Sequence, residues 1–505
     1  MRLSEPKERE IELRHASEPL VFVIDIGSSS VRASLFDACG REIQATQAKR
    51  SWGFRASQEG ASEIAAEELF ATVTSTVDEA LRLVPRELRF AEVAISCFWH
   101  SLVVLDDAGR ALTPVLGWAD TRARAAAALL RARLDEAETH HRTGCRFHPS
   151  YWPAKILWLR EQREEIVRRA ARFGSFSEFL TGRLLDRSVM SVSMAAGTGL
   201  FDQHRCVWDE RLIAALGLRR ESFPKVEDTR EAIARLAPEW SARWPQLSEA
   251  RWHAPFADGA TSNIGENCST PERAVIMIGT SGAMRVLFEG KPPRSLPLGL
   301  WCYRLDGRRV VVGGALSDGG NLREWLSRSL ALEATTLEEG LAQLAPDEHG
   351  LTVLPFWSGE RSTGWHAEAR GAILGLSMRT RPIDIARATL EAVAYRFAAI
   401  ADHLRALFPV SQIVASGGAL QNSPFWAQLL ADVFAHPVEL SRVREASSRG
   451  AALLALEASG MLSLRGPSPT IARRFVPDQD RAARYAAARA RHERLYRLVL
   501  ESQTA

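Results

Sequence analysis

"VFVIDIGSSSVRASLFD", residues 21–37, sets two apolar runs on either side of Gly27-Ser28-Ser29-Ser30. The common phosphate loop ends in Gly-Lys-Ser/Thr and opens a helix, so that backbone N–H groups and a lysine meet the phosphates. This stretch has no lysine. Val31, Ala33 and Leu35 alternate with Arg32, Ser34 and Phe36, the period of a strand rather than a helix. The unit therefore reads strand, loop, strand.

About 250 residues downstream the pattern returns in "RAVIMIGTSGAMRVLFEG", residues 273–290. Ile26-Gly27-Ser28-Ser29 corresponds to Ile278-Gly279-Thr280-Ser281, and Arg32 and Arg285 follow the two loops. One such loop is an ordinary turn, since Gly and Ser fill turns. Two in matching strand contexts point to a duplicated unit. Loops of this kind turn successive N–H groups outward as an anion nest, and hydroxyls add donors. A pair facing one cleft would hold a polyphosphate from both sides.

A chain of 505 residues exceeds what one core usually supports, so two domains are expected. Lys+Arg 64 against Asp+Glu 61 leaves a net charge of +3, too balanced for a nucleic-acid or membrane surface. The six cysteines show no C-x-x-C pair, which argues against a zinc site or a disulfide framework. The first twenty residues lack the apolar core of a signal peptide, and no apolar run is long enough to span a bilayer. A cytoplasmic protein with a solvated polar extension is the expectation.

Strands are expected at "VFVIDIG", "VRASLFD", "REIQATQ" and "AEVAISCF". A helix is expected through residues 62–84, where Ile64, Leu69, Val73, Val77 and Leu81 recur at helical spacing, and a hairpin in "SLVVLDDAGRAL". Alternating strands and helices make the chain α/β. Residues 122–250 read as a mostly helical continuation of the first domain.

Together with "FLTGRLLDRSVMSVSMAAGTGLFD", "FADGATSNIG" and "ASGGALQNSPFWAQLLADVF", the two loops resemble the FGGY family of carbohydrate kinases, over residues 20 to 490. The resemblance implies a two-domain, actin-like and ribonuclease-H-like ATPase fold with a duplicated core and an interdomain cleft. The implied layout is a polar extension at 1–19, an N-terminal domain at 20–256, a C-terminal domain at 257–492 and a tail at 493–505. Within the family, "GWADTRAR", "TGCRFHPSYWPAKILWL", "WCY" and "PFWSGER" look most like gluconate kinases.

The resemblance assigns roles. Asp258 stands where the family keeps its catalytic base; phosphoryl transfer to an alcohol needs a carboxylate to take the hydroxyl proton. Alone, Asp258-Gly259 is only a turn. Asp25 matches the acidic residue that holds Mg²⁺, and a cation that keeps its waters needs few protein carboxylates. Gly27, Ser28, Ser29, Ser30 and Arg32 match the first phosphate loop for ATP, and Gly279, Thr280 and Ser281 the second. Arg285 is either a further phosphate ligand or an exposed strand residue. Gly417, Gly418 and Asn422 match the adenosine site, with Gly320 in another part of that pocket.

Sugar recognition is expected from the first domain. His100 is a hydroxyl-binding candidate, preceded by Trp99 where the family has Met; Trp99 either stacks on the sugar or narrows the pocket. Trp118, Asp120 and Arg122 lie within five residues, offering a platform, a hydroxyl acceptor and a cation for a sugar-acid carboxylate. Lys155 and His148 are alternatives for that cation. "GERST", residues 359–363, departs from the family's Gly-Glu-Arg-Ala-Pro.

The reading is an ATP- and Mg²⁺-dependent kinase acting on a small sugar or sugar acid, with gluconate going to 6-phosphogluconate as the leading reaction. A pentulose (xylulose or ribulose) or a polyol (glycerol or erythritol) is the alternative, and a non-catalytic nucleotide switch is a rival of another class. No nucleic acid or membrane partner is expected, and a homodimer is left open.

Overall fold

The computed structural model describes residues 10–501 apart from Asp186, Glu231 and Arg465. Branched and aromatic side chains make β1 (Val21–Ile26) and β2 (Ser30–Phe36) an antiparallel hairpin, with Val21 opposite Phe36 and Ile26 opposite Val31. Parallel to β1 runs β3 (Glu92–Cys97). Every residue of β1 and β3 is buried, as in a sheet covered on both faces. Around this core the strand order is Glu10–Ile11, Glu42–Ile43, β2, β1, β3, Arg251–His253, Ala232–Ala234.

The second sheet repeats the plan with β4 (Arg273–Ile278), β5 (Gly282–Glu289), β6 (Trp301–Arg304), β7 (Arg309–Leu316) and β8 (Gln412–Ser416). Its order is β6, β7, β5, β4, β8, Val438–Ser441, Ile471–Phe475. β4 and β5 form the antiparallel hairpin, and β8 runs parallel to β4 as β3 does to β1. The sequence echo is thus a topological one.

Two segments tie the halves together across the expected boundary at 257. β6 docks on the first domain: Cys302 N–H donates to the Gly144 carbonyl at 3.0 Å, Arg304 Nε to Gln203 at 2.7 Å, and the Tyr303 and Tyr151 hydroxyls meet at 2.6 Å. Helices α1 (Asp258–Gly265), α2 (Gly320–Ser329) and α3 (Ala446–Ala458) belong to the second half of the chain. Yet α3 buries Ala451 to Leu456 in the core of the first domain, against β1 and β3. It crosses α1 backbone to backbone at Gly265 and Gly450, where a Cβ would overlap the carbonyls of Ala446 and Thr261.

Several local expectations change. The strand in "REIQATQ" shortens to Glu42–Ile43, because Ala45 turns the chain with φ 59°. Ile64 leaves the helical face for strand Ser62–Ile64, where it pairs with Val115; the helix starts at Ala66. Residues 1–9 lie outside the described residues, but Glu10–Ile11 add an edge strand beside Glu42–Ile43 instead of remaining solvated. The C-terminal helix Gln479–Tyr496 packs Tyr485, Ala488, His492 and Tyr496 inward, so position 493 falls within it. Among the described residues, no helix is long and apolar enough to cross a membrane.

Candidate active site

A cleft of about 300 Å³ gathers both loops. Gly27, Ser28, Ser29, Ser30 and Arg32 line one side, and Gly279, Thr280 and Ser281 the other, with Gly417 and Gly418 at one edge. Open space lies over the Cα atoms of Gly279 and Gly418, so a ligand can approach bare backbone there. Gly417 needs its glycine for another reason: its φ is +93°, and a Cβ would press on the Ile278 carbonyl at 2.6 Å. Gly320 is not in the lining. Its N–H donates to the Gly279 carbonyl at 2.8 Å, so the start of α2 braces the second loop from behind. Asn422 also falls outside the lining, exposed past the short helix that begins at Gly418.

Asp25 ends β1 inside the cleft. One carboxylate oxygen accepts from the Ser448 hydroxyl of α3 at 3.0 Å, and Arg32 stands 3.6 Å away. The other oxygen is buried without a hydrogen-bond partner. A buried carboxylate oxygen left open beside the two glycine–hydroxyl loops suits a hard cation. Arg32 itself also pairs with Glu445 at 3.1 Å. A second acidic cluster, Asp347, His349 and Glu391, is taken up by Arg491 and Arg387 and forms an ion-pair network.

Asp258 opens α1, where the helix N-terminus favours a carboxylate. Burial nevertheless raises its pKa to about 6; Arg285 opposes the rise, Asp25 adds to it, and the backbone N–H groups of Gly259 and Trp99 hold the charged form. Arg285 is buried, not exposed, and lines the cleft next to Asp258. Gly259 makes room for this arrangement, since a Cβ would strike both Arg285 and the Trp99 ring at 2.5 Å.

The other end of the cleft is aromatic. Trp99 is anchored by its indole N–H on the Ser193 carbonyl at 2.8 Å and meets Tyr303 and Trp301 edge to face. His100 Nδ1 lies 2.6 Å from the Gly197 carbonyl, which can only accept, so this nitrogen carries the proton and Nε2 is an acceptor. Burial lowers the His100 pKa to about 3, keeping the ring neutral. Trp118 lines the cleft with Arg361 over its ring at 4.4 Å.

Three residues expected here lie elsewhere. Asp120 is buried and accepts from the Ser62 N–H and from Arg122. Arg122 is neutralised by Asp120 at 2.6 Å and Glu63 at 2.5 Å, so its guanidinium is not available as the cation for a substrate carboxylate. Lys155 spends three hydrogen bonds on the carbonyls of His100, Gly117 and Ser150 at 2.8 to 3.0 Å, pinning the segments behind the aromatic wall. Substituting Lys155→Met is expected to lower unfolding stability by about 3 kcal/mol, read from a denaturant midpoint, because three buried acceptors lose their donor. Trp301, Tyr303 and Arg361 line the cleft without having been assigned to it, and Arg285 lines it in place of lying exposed; the aromatic run in "WCYR" was the available signal.

A duplicated α/β core with two glycine–hydroxyl loops across one cleft and a half-buried carboxylate between them is an actin-like, ribonuclease-H-like ATPase fold. Residues 20–249 match the N-terminal domain, and residues 274–459 the C-terminal domain, of the FGGY family of carbohydrate kinases. The chain belongs to that family and is a phosphotransferase with an alcohol group as acceptor. A gluconokinase of Bacillus subtilis is 30% identical over 483 residues, 92% of each chain. A glycerol kinase of Methylobacterium nodulans is 29% identical, over 91% of this chain and 94% of its own. Among solved structures, a ligand-bound xylulose kinase from Lactobacillus acidophilus superposes with a TM-score of 0.87 at 25% identity, covering 96% of this chain and all of its own.

Proposed function

We propose that the chain transfers the γ-phosphate of ATP to the terminal hydroxyl of a sugar acid, with D-gluconate giving 6-phospho-D-gluconate as the leading reaction. The observation that carries this reading is the position of Asp258, half-buried in the cleft between the two glycine–hydroxyl loops and an aromatic, cation-bearing pocket. The likeness to the Bacillus gluconokinase over nearly the whole chain supports the substrate. In this reading the loops at 27–30 and 279–281 hold the phosphates, and Gly417 and Gly418 lie against the adenosine. Asp25 holds Mg²⁺, which when bound offsets phosphate charge. Asp258 accepts the proton of the attacking hydroxyl as that oxygen bonds to phosphorus and ADP leaves. Neutral His100 accepts from a sugar hydroxyl, and Arg285 keeps Asp258 ionised.

A base must be ionised to work, and the raised pKa of Asp258 sets where that fails. Log kcat/KM for gluconate is expected to fall with unit slope as pH drops below about 6. Arg285→Gln, which removes the opposing positive charge, is expected to move this limb upward by about one pH unit. Product analysis by phosphorus and carbon NMR tests the reaction itself: phosphate on C6 of gluconate supports it, and phosphate elsewhere overturns it. A neutral pentulose is the second reading, favoured by the likeness to the xylulose kinase.

A further inference from the structure

The aromatic end of the cleft contains a buried cation that, among the described residues, forms no ion pair within 4 Å. Arg361 is 8% exposed and stacks on Trp118. One of its N–H groups donates to the Leu316 carbonyl at 2.8 Å, while Nε has no acceptor. The adjacent Glu360 is spent elsewhere, on Arg396 at 2.7 Å and the Tyr496 hydroxyl at 2.9 Å. Asp318 acts on Arg361 through its charge, but its carboxylate makes its hydrogen bonds to Ser358 and Asn321 and none to the guanidinium. A buried guanidinium with an N–H left without an acceptor is costly, and an anion entering the cleft would supply that acceptor.

Position identifies that anion. From Asp258 the wall runs through Trp99, whose backbone N–H meets the carboxylate, to His100 and Tyr303, and both of these lie within the field of Arg361. The cleft thus presents a carboxylate at one end and a planar cation with an open N–H at the other. An open-chain polyhydroxy acid has the matching ends, a primary hydroxyl and a carboxylate. A planar fork over an aromatic face is also the geometry that binds carboxylates with two parallel N–H bonds.

We propose that Arg361 determines specificity by binding the substrate's carboxylate, which makes the substrate class the open-chain sugar acids. The inference rests on the reading of terminal phosphoryl transfer given above. It moves the anion-binding role from Arg122, which the protein neutralises itself, to a residue more than two hundred positions away in the sequence.

The test compares D-gluconate with D-gluconamide, which has the same hydroxyl chain and a neutral head. With the wild-type protein, KM for the amide is expected to be about 100-fold higher. Arg361→Gln is expected to raise KM for gluconate about 100-fold with kcat changed only about threefold, erasing the preference, and Arg361→Lys to restore part of it. Equal KM values for acid and amide in the wild type overturn the inference, as does an Arg361→Gln protein that keeps the preference. Should Arg361→Gln fail to fold, the wild-type comparison decides alone. Gluconate turnover without discrimination removes only the role of Arg361, whereas turnover confined to neutral sugars removes the sugar-acid reading as well.

Discussion

Asp258→Asn is expected to cut kcat about 1,000-fold while changing ATP affinity about twofold at most. The substitution keeps the shape of the side chain and its place at the start of α1, but an amide cannot take the proton of the attacking hydroxyl. ATP contacts in the proposed arrangement come from the two loops, which the substitution does not touch. Equilibrium ATP binding and single-turnover phosphoryl transfer, measured on the same preparation, separate the two effects. A variant that retains a tenth of the wild-type kcat would deny Asp258 its role as base.

Gly450→Ala is the second large effect, and it acts through the seam between the halves. At the α1–α3 crossing the new methyl would fall on the Thr261 carbonyl, and backbone has no rotamer to move aside. The helices must part, at a cost of about 3 kcal/mol. Ser447 and Ser448, at the start of α3, would then shift from the Asp258 carbonyl at 3.3 Å and the Asp25 carboxylate at 3.0 Å. A lower Tm together with reduced kcat is the expected result, and an unchanged Tm would contradict the close crossing.

The paired hairpins were legible because a strand with alternating branched residues and a small-residue loop is a local signal, and it occurs twice. Asp25 and Asp258 were legible as candidates through the family resemblance. What joins the halves was not: nothing within α3 tells that Ala451 to Leu456 pack on strands formed more than three hundred residues earlier. Arg122 shows the opposite failure. An aspartate two positions before an arginine looks like a polar site, but the same spacing lets the pair neutralise itself. Arg361 lies in the quoted "PFWSGER", yet its role was not legible there, because its neighbour Glu360 turns away to Arg396, a contact that only the folded chain creates. Ile64 misled for a similar reason, since its helical spacing ended at a strand pairing with Val115.

The account stands most directly on the acceptor. ADP release from Mg-ATP should be measured with purified protein and D-gluconate, D-xylulose, D-ribulose, glycerol and erythritol under identical conditions. The prediction is that kcat/KM for gluconate exceeds that of every neutral acceptor by at least about 100-fold, in line with the loss of a buried charge pair. A protein that phosphorylates xylulose or glycerol as well as or better than gluconate would contradict it.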